Sequence, residues 1–187
     1  MNEFPTSIGT SDRDSITLLG HDLARDLLGK VGFGELAFWL VAMRRPTPGE
    51  LRLFEAVLVA LADHGLTPTA ISARLTLASA PESVQGAMAA GLLGGGSRFL
   101  GVTEDAGRFL ADALAAYDGP APQTDVEWDG VARTAVQRRR DEGGYVPGLG
   151  HPVHKDGDPR TPVPIGIAAE EELRGRHLQL FEAIGRV

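Results

Sequence analysis

Apolar residues recur along most of the chain at helical spacing, and alternating strand patterns are hard to find. His21 to Leu28 reads as a short helix. Glu35 to Arg44 reads as a strongly apolar one, with Leu36, Phe38, Trp39, Leu40 and Val41, and Pro46 ends it. Thr47, Pro48 and Glu50 then form a helix start: an N-cap hydroxyl, Pro at the first helical position and a capping-box Glu. Leu51, Phe54, Leu58 and Leu61 follow on one face, and Leu53, Val57 and Ala60 make a second. This helix is therefore expected to be buried nearly all round and to reach about His64, with Gly65 as its stop.

Thr67-Pro68 repeats the start signal for a helix to about Ser79. Pro81 is expected to open another to about Leu93, whose Ala and Gly permit close helix–helix approach. Gly94 to Gly101 reads as a loop. Thr103 is the expected cap of the next helix, with Glu104 and Asp105 in its first turn and Phe109, Leu110, Ala113, Leu114 and Tyr117 as its apolar face. Gly119 to Gln123 is a linker, and Trp128 to Glu142 an amphipathic helix ending at Gly143-Gly144. Tyr145 to Pro164 breaks the pattern. It is rich in Pro and Gly and carries two His, one Lys and one Arg. An irregular loop of about 20 residues is uncommon in a compact domain and is usually functional. After it a helical pattern runs to Val187, with Leu178, Phe181 and Ile184 on one face. The expected fold class is all-α, with a polar tail over 1–14 and a helical domain over 15–187.

Composition supports this reading, since 47 Ala and Leu outweigh 19 Val and Ile. The 187 residues, 43% hydrophobic and 23% charged, suit one ordinary globular domain. The sequence has no Cys, which excludes a disulfide scaffold, a thiolate nucleophile and a Cys-ligated zinc site. No apolar run approaches the roughly 20 residues of a membrane span. Met1 to Ser15 resembles neither a signal nor a transit peptide, so a cytoplasmic protein without a membrane partner is expected. The net charge of −7 argues against a nucleic-acid surface. It leaves room for an anionic ligand, because a few Arg and His in a cleft set the local field.

The chemistry concentrates in the irregular loop. Gly148 and Gly150 let backbone amides approach a ligand, and Pro147 and Pro152 stiffen the chain around them. With His151, His154, Lys155 and Arg160 nearby, such a loop suits a polyanionic small molecule. His151 and His154 could instead ligate a metal with Asp156 or Asp158, but a convincing third ligand is lacking, and no metal is expected. His64, at the end of a long apolar helix, reads either as a dipole-stabilising residue or as a ligand contact. His21 and His177 read as ordinary helix-context residues. The Gly-rich stretch Leu92 to Ser97 lacks the Lys-Ser/Thr of a phosphate-binding loop. Arg138-Arg139-Arg140 reads as a solvated helix face, with a phosphate contact as the alternative.

These residues carry a resemblance. Val146-Pro147-Gly148-Leu149-Gly150-His151-Pro152-Val153-His154-Lys155, followed by Asp158-Pro159-Arg160, resembles the signature of the citrate synthase superfamily. Ala62-Asp63-His64-Gly65 resembles its other His motif, and Gly32 to Pro48 resembles its N-terminal helical region. The likeness runs from about residue 15 to the end and looks closest to the short citryl-CoA lyases. It implies a helical, dimeric fold, with the start of a smaller domain near 103–187. It implies cleavage of citryl-CoA to acetyl-CoA and oxaloacetate, or the reverse condensation. The substrates would be a coenzyme A thioester and a small di- or tricarboxylate. By the same resemblance, His151 donates to the keto oxygen of the acceptor and His64 contacts the same acid. Arg160 clamps a carboxylate, and the backbone of Gly148, Leu149 and Gly150 lines the coenzyme A site.

Two departures stand out. Aligned on Gly96, Gly101 and Glu104, the sequence has Phe99 where the family's enolate-stabilising His belongs, and aligned on Gly95-Gly96 it has Gly94 there. Backbone amides of that Gly-rich loop, Ser97 or Arg98 are the available substitutes. The family's catalytic Asp lies beyond the helix that follows the loop, so the sequence is expected to lack that C-terminal segment, and no residue is assigned as the base. A non-catalytic binder of coenzyme A esters or carboxylates is the alternative function.

Overall fold

The computed structural model describes residues 8–62, 65–96, 101–150, 154 and 157–187. Eight α-helices occur among them: α1 Phe33–Ala42, α2 Pro48–Ala60, α3 Pro68–Ser79, α4 Val84–Leu93, α5 Val102–Ala115, α6 Asp125–Asp141, α7 Pro162–Glu170 and α8 Arg176–Arg186. A small antiparallel sheet precedes them: β1 Gly9–Ser11, β2 Ile16–Leu18 and β3 His21–Asp22, in that order. The fold is thus the expected helical one with one addition. The sheet takes His21 and Asp22 from the helix expected there, and only a π-helical turn, Leu23–Leu27, follows. Its turns are local. The Asp12 carboxylate accepts from the amides of Asp14 and Ser15, closing β1 onto β2. Leu19 and Gly20 both have positive φ, 52° and 78°, the two-residue turn that suits the twist of a hairpin. Strands this short show no alternation for a pattern reading to find.

The chain divides into two compact units, Met1–Ala62 with Pro162–Leu173, and Asp63–Thr161 with Arg174–Val187. In the first, Trp39 of α1 is buried. The His21 ring meets it edge-on at 5.0 Å, and the Arg45 guanidinium lies 4.3 Å from its ring centre. Phe38 and Phe54 join α1 to α2 edge-to-face at 5.5 Å. The capping box of α2 forms as the sequence predicts, with the Glu50 amide donating to Thr47 Oγ1 and the Thr47 amide to Glu50. Two expectations for α2 are corrected. It ends at Ala60 and not near His64, and it is not buried all round: none of its residues is fully buried, and Val59 is 75% exposed. The helix packs on α1 and α7, which cover only part of its circumference. Arg52 ties it to the end of α7 through Glu170 at 2.8 Å and Glu171 at 2.7 Å.

In the second unit, Trp128, Val131, Ala132 and Val136 of α6 pack against Leu180, Ala183 and Ile184 of α8. The expected apolar face of α5, Phe109 to Tyr117, closes over them. Two helix starts differ from expectation. Helix α6 begins at Asp125, three residues early, because Thr124 and Glu127 form a second capping box. Helix α5 begins at Val102 behind Gly101, which puts Thr103 inside the first turn and not at the cap. Helix α4 starts at Val84, after a turn at Pro81 closed by the Ser83 amide on Ala80. The close approach expected of its small residues is present: a Cβ at Gly91 would lie 3.2 Å from Ala73 Cβ of α3.

The irregular loop is shorter than expected, since α7 starts at Pro162. Pro162 and Pro164 occupy its first turn, where the missing amide hydrogen costs nothing. The single C-terminal helix is two. Glu172 adopts φ 58°, and the Leu173 amide reaches back to the Ala168 carbonyl at 2.7 Å, the wrap that closes a helix end. Gly175 then caps α8.

The Arg44 guanidinium and, after it, the Thr47 amide hold Glu50 at about 2, below its ordinary 4.5. A carboxylate depressed on folding contributes stability above its unfolded pKa and loses it as the pH falls through the folded one. Thermal melts between pH 5 and 2 should therefore show an acid-dependent loss that is smaller in Glu50→Gln. An unchanged pH slope in that variant would refute the assignment.

Candidate functional site

Five of the candidate site's residues lie on the segment between α6 and α7, which begins with a tight helix exit. Gly143, at φ 73°, turns the chain. The Gly144 amide donates to the Arg139 carbonyl at 3.0 Å, and Arg139 Nε donates to the Tyr145 carbonyl at 3.2 Å. Val146 packs against the α6–α8 core, and Pro147 is buried. The backbone is thus anchored on both sides of the turn before it reaches the glycines.

Gly148 has φ 80°, and a Cβ there would come 2.9 Å from Ala106 Cβ of α5, with the Phe181 ring of α8 at 4.0 Å. Both conformation and space demand glycine at this position. Gly150, at φ 92°, repeats the left-handed conformation, with Leu149 between them. All three residues are exposed, so the backbone expected to line a coenzyme A site sits at the surface on a fixed base. Beside it, a groove of about 750 Å³ runs between α5 and α6, lined by Phe109, Val131 and Ala135 and reaching Pro147. Arg138 and Arg139 also line it, but they are engaged with Glu142 at 3.2 and 3.7 Å, as a solvated helix face would be.

Further along, Asp158 and Arg160 form one locked pair. The Arg160 amide and Nε each donate to Asp158 Oδ1 at 2.9 Å, and Nη2 donates to Oδ2 at 2.5 Å. Hydrogen bonding from the Arg160 side chain, and then from its amide, holds the Asp158 carboxyl far below the usual range, with a smaller electrostatic contribution from His154. Asp158 is therefore ionised throughout the physiological range and accompanies Arg160 as a counter-charge. The Thr161 amide donates to the Asp158 carbonyl at 3.0 Å, completing the turn.

Of the residues singled out in the sequence, Gly148, Leu149, Gly150 and Arg160 are placed on this segment. His64, His151 and Phe99 lie outside the described residues. Gly94 closes the C-terminal end of α4 and brings no side chain. The sequence offers Asp158 as a possible metal ligand and as part of the Asp-Pro-Arg motif, and the structure makes it the partner of Arg160. The two-residue spacing in Asp-Pro-Arg was the available signal. Among the described residues, no group of three His, Asp or Glu is placed to hold a metal ion, and no helix is long and apolar enough to cross a membrane.

A mostly helical frame that carries a Gly-rich loop, closed by an Asp-Pro-Arg turn, defines the class of protein. The chain belongs to the citrate synthase family: the family described as Citrate synthase, C-terminal domain, matches residues 6–187. It is 29% identical over 158 residues to a citrate synthase of Deinococcus radiodurans, covering 80% of this chain and 37% of that protein. The structure is similar to that of citryl-CoA lyase from Hydrogenobacter thermophilus, with TM-score 0.80 and 31% identity, over 98% of this chain and 68% of the other. ATP citrate lyase from Methanosaeta concilii, solved in complex with (3S)-citryl-CoA, gives TM-score 0.76 at 25% identity over 97% of this chain and 29% of that one. ATP citrate lyase from Methanothrix soehngenii, solved with citrate and coenzyme A, shares the fold at TM-score 0.76 and 24% identity, with 97% and 29% covered.

Replacing Gly148 by Ala combines a positive φ with a collision against Ala106. The variant is expected to lose about 1–2 kcal/mol from backbone strain alone. Urea denaturation checks this, together with faster amide exchange over 144–150. A variant as stable as the parent would show that the loop does not rest on α5 as described.

Proposed function

We propose that the chain contributes the acid- and thioester-binding part of a site that cleaves citryl-CoA to acetyl-CoA and oxaloacetate. The reverse condensation would run through the same intermediate. The observation that carries this is the match to citryl-CoA lyase along 98% of the chain, joined to the Gly-Leu-Gly-His and Asp-Pro-Arg motifs in the order that family uses. The two ATP citrate lyases solved with citryl-CoA, or with citrate and coenzyme A, have the same fold and support that substrate class.

In cleavage, the proton leaves the tertiary hydroxyl of the citryl group and its oxygen becomes the keto oxygen of oxaloacetate. The carbon–carbon bond to the acetyl unit breaks, its electron pair forms the thioester enolate, and a proton returns to that carbon. Three demands follow: a donor at the oxygen that becomes the keto group, cations on the carboxylates, and a donor at the enolate oxygen. In this reading His151 meets the first, Arg160 with His64 the second, and the Gly148–Gly150 backbone holds the thioester. The third would fall to amides of the Gly-rich stretch, Ser97 or Arg98, because neither Gly94 nor Phe99 supplies an imidazole. The chain spans 37% of the length of the citrate synthase it matches, and no residue of it is assigned as the base. The helical domain over 15–187 would include the start of the family's smaller domain near 103–187.

The missing imidazole also favours a second reading, a binder of the same ligands without turnover, since losing one such donor costs about 10²–10³ in rate. Incubation with citryl-CoA, following thioester loss and oxaloacetate release, separates the two. Turnover establishes the lyase. Calorimetric binding of acetyl-CoA and oxaloacetate without turnover establishes the binder, and neither result rejects both. Arg160→Ala should weaken oxaloacetate binding about tenfold or more while leaving acetyl-CoA binding nearly intact, as loss of a charged hydrogen-bonding partner predicts. Equal losses for both ligands would contradict the role.

The reading includes a homodimer. Helix α4 exposes Val84, Met88 and Leu92 at 59%, 65% and 71%, which four-residue spacing places on one face, and it carries no charged residue. An apolar face of this kind is costly to leave in water and suits an isologous contact with a second copy. Sedimentation equilibrium should return twice the chain mass, and Met88→Asp should return the monomer. A monomeric parent at micromolar concentration would exclude the dimer.

A further inference from the structure

We infer that Asp158 is a positioning residue that sets the plane of the Arg160 guanidinium for carboxylate binding, and that it does so from a turn built to hold both residues. The inference rests on the proposed site and deepens it.

An arginine brings a planar fork of donors, and its value to a carboxylate depends on that plane being fixed before the ligand arrives. Arg160 is partly exposed at the end of the loop, with 38% of its side chain accessible, so solvent alone would leave it many rotamers. Asp158 removes that freedom. One carboxylate oxygen, Oδ1, accepts both the amide and Nε of Arg160 at 2.9 Å, tying the guanidinium to its own backbone. The other, Oδ2, accepts Nη2 at 2.5 Å and Nε at 3.2 Å, which fixes rotation about the last bond. Two contacts at different depths of one side chain define a plane. The carboxylate takes the Nε–Nη2 side of the fork.

The turn itself holds the carboxylate. Gly157 has φ 112°, a conformation that side-chain-bearing residues rarely adopt, and Pro159 fixes the residue between the partners. The Thr161 amide closes onto the Asp158 carbonyl at 3.0 Å. Asp158 is only 19% accessible. Its negative charge partly offsets that of Arg160, which alone would weaken anion binding. Orientation outweighs this loss, because a ligand that must first order a free arginine loses the rotamer entropy that the turn has already removed.

Asparagine at 158 keeps an oxygen for the Arg160 amide and Nε but has no acceptor for Nη2. Alanine keeps neither. Calorimetric titration of the full chain with citrate should therefore give affinity falling about threefold for Asp158→Asn and about tenfold or more for Asp158→Ala, with tenfold equal to 1.4 kcal/mol. Acetyl-CoA affinity should stay the same in both variants, and the graded rescue of citrate affinity by Asn marks orientation as the cause. Equal or tighter citrate binding by Asp158→Ala overturns the positioning role and leaves the proposed site standing. If the parent chain binds no citrate and Arg160→Ala changes nothing, the site reading fails and the positioning role fails with it. The Arg160 15Nε signal in the nuclear magnetic resonance spectrum supplies the independent readout. It should be sharp and exchange-protected in the parent and broadened in Asp158→Ala, and a signal already broad in the parent would overturn the pair.

Discussion

Burial of one face of α6 against α8 is the contact on which the second unit depends. Ala132, Leu180 and Ala183 are fully removed from solvent there, and Trp128 and Ile184 nearly so. Complete burial of a large apolar side chain contributes about 1.5–3 kcal/mol, and small residues between the large ones let the helices approach. Position on this face also decides where α5 sits, since Phe109, Leu110 and Leu114 close over the same cluster. The Gly148 turn then rests on Ala106 of α5 and Phe181 of α8, so the loop takes its shape from the core beneath it.

In a chain with a net charge of −7, the arginines of the loop and of the helix before it are held in different ways. Arg138 and Arg139 are spent on α6's own C-terminal end, on Glu142 and the Tyr145 carbonyl. They stabilise the exit from the helix and hold the start of the loop. Arg160, by contrast, is paired with a residue two positions away inside a turn. A guanidinium held this way gives up part of its field and gains direction. In the proposed site, direction would decide which carboxylate of the ligand is clamped and where the reacting carbon comes to rest. Misplacement by about 1 Å is enough to cost 10²-fold in rate.

Much of the fold was legible from residues a few positions apart. Helices α2 and α3 start where Thr47-Pro48 and Thr67-Pro68 place them, because a cap and a first-turn proline act within one turn. The candidate loop was legible for the same reason, as Gly, Pro, His and Arg are read directly. Where expectation failed, the deciding contact was either too short to show a period or was made at a distance. The β1–β3 hairpins need only eight paired residues, and the break between α7 and α8 depends on Glu172 accepting a left-handed conformation that its side chain does not favour.

The sequence by itself therefore determined the helical class, most helix starts and the motif that resembles the citrate synthase signature. These are properties of residue type and near spacing. Only the tertiary structure decided that α2 lies half-exposed, that Gly148 is demanded by Ala106 across a helix contact, and that Arg160 is already coupled to Asp158. Each depends on which surfaces meet after the chain folds, and distances of that kind are not encoded in any single stretch of sequence. The Asp-Pro-Arg motif lies between the two cases: its letters are local, but the direction in which it aims its guanidinium is a property of the folded turn.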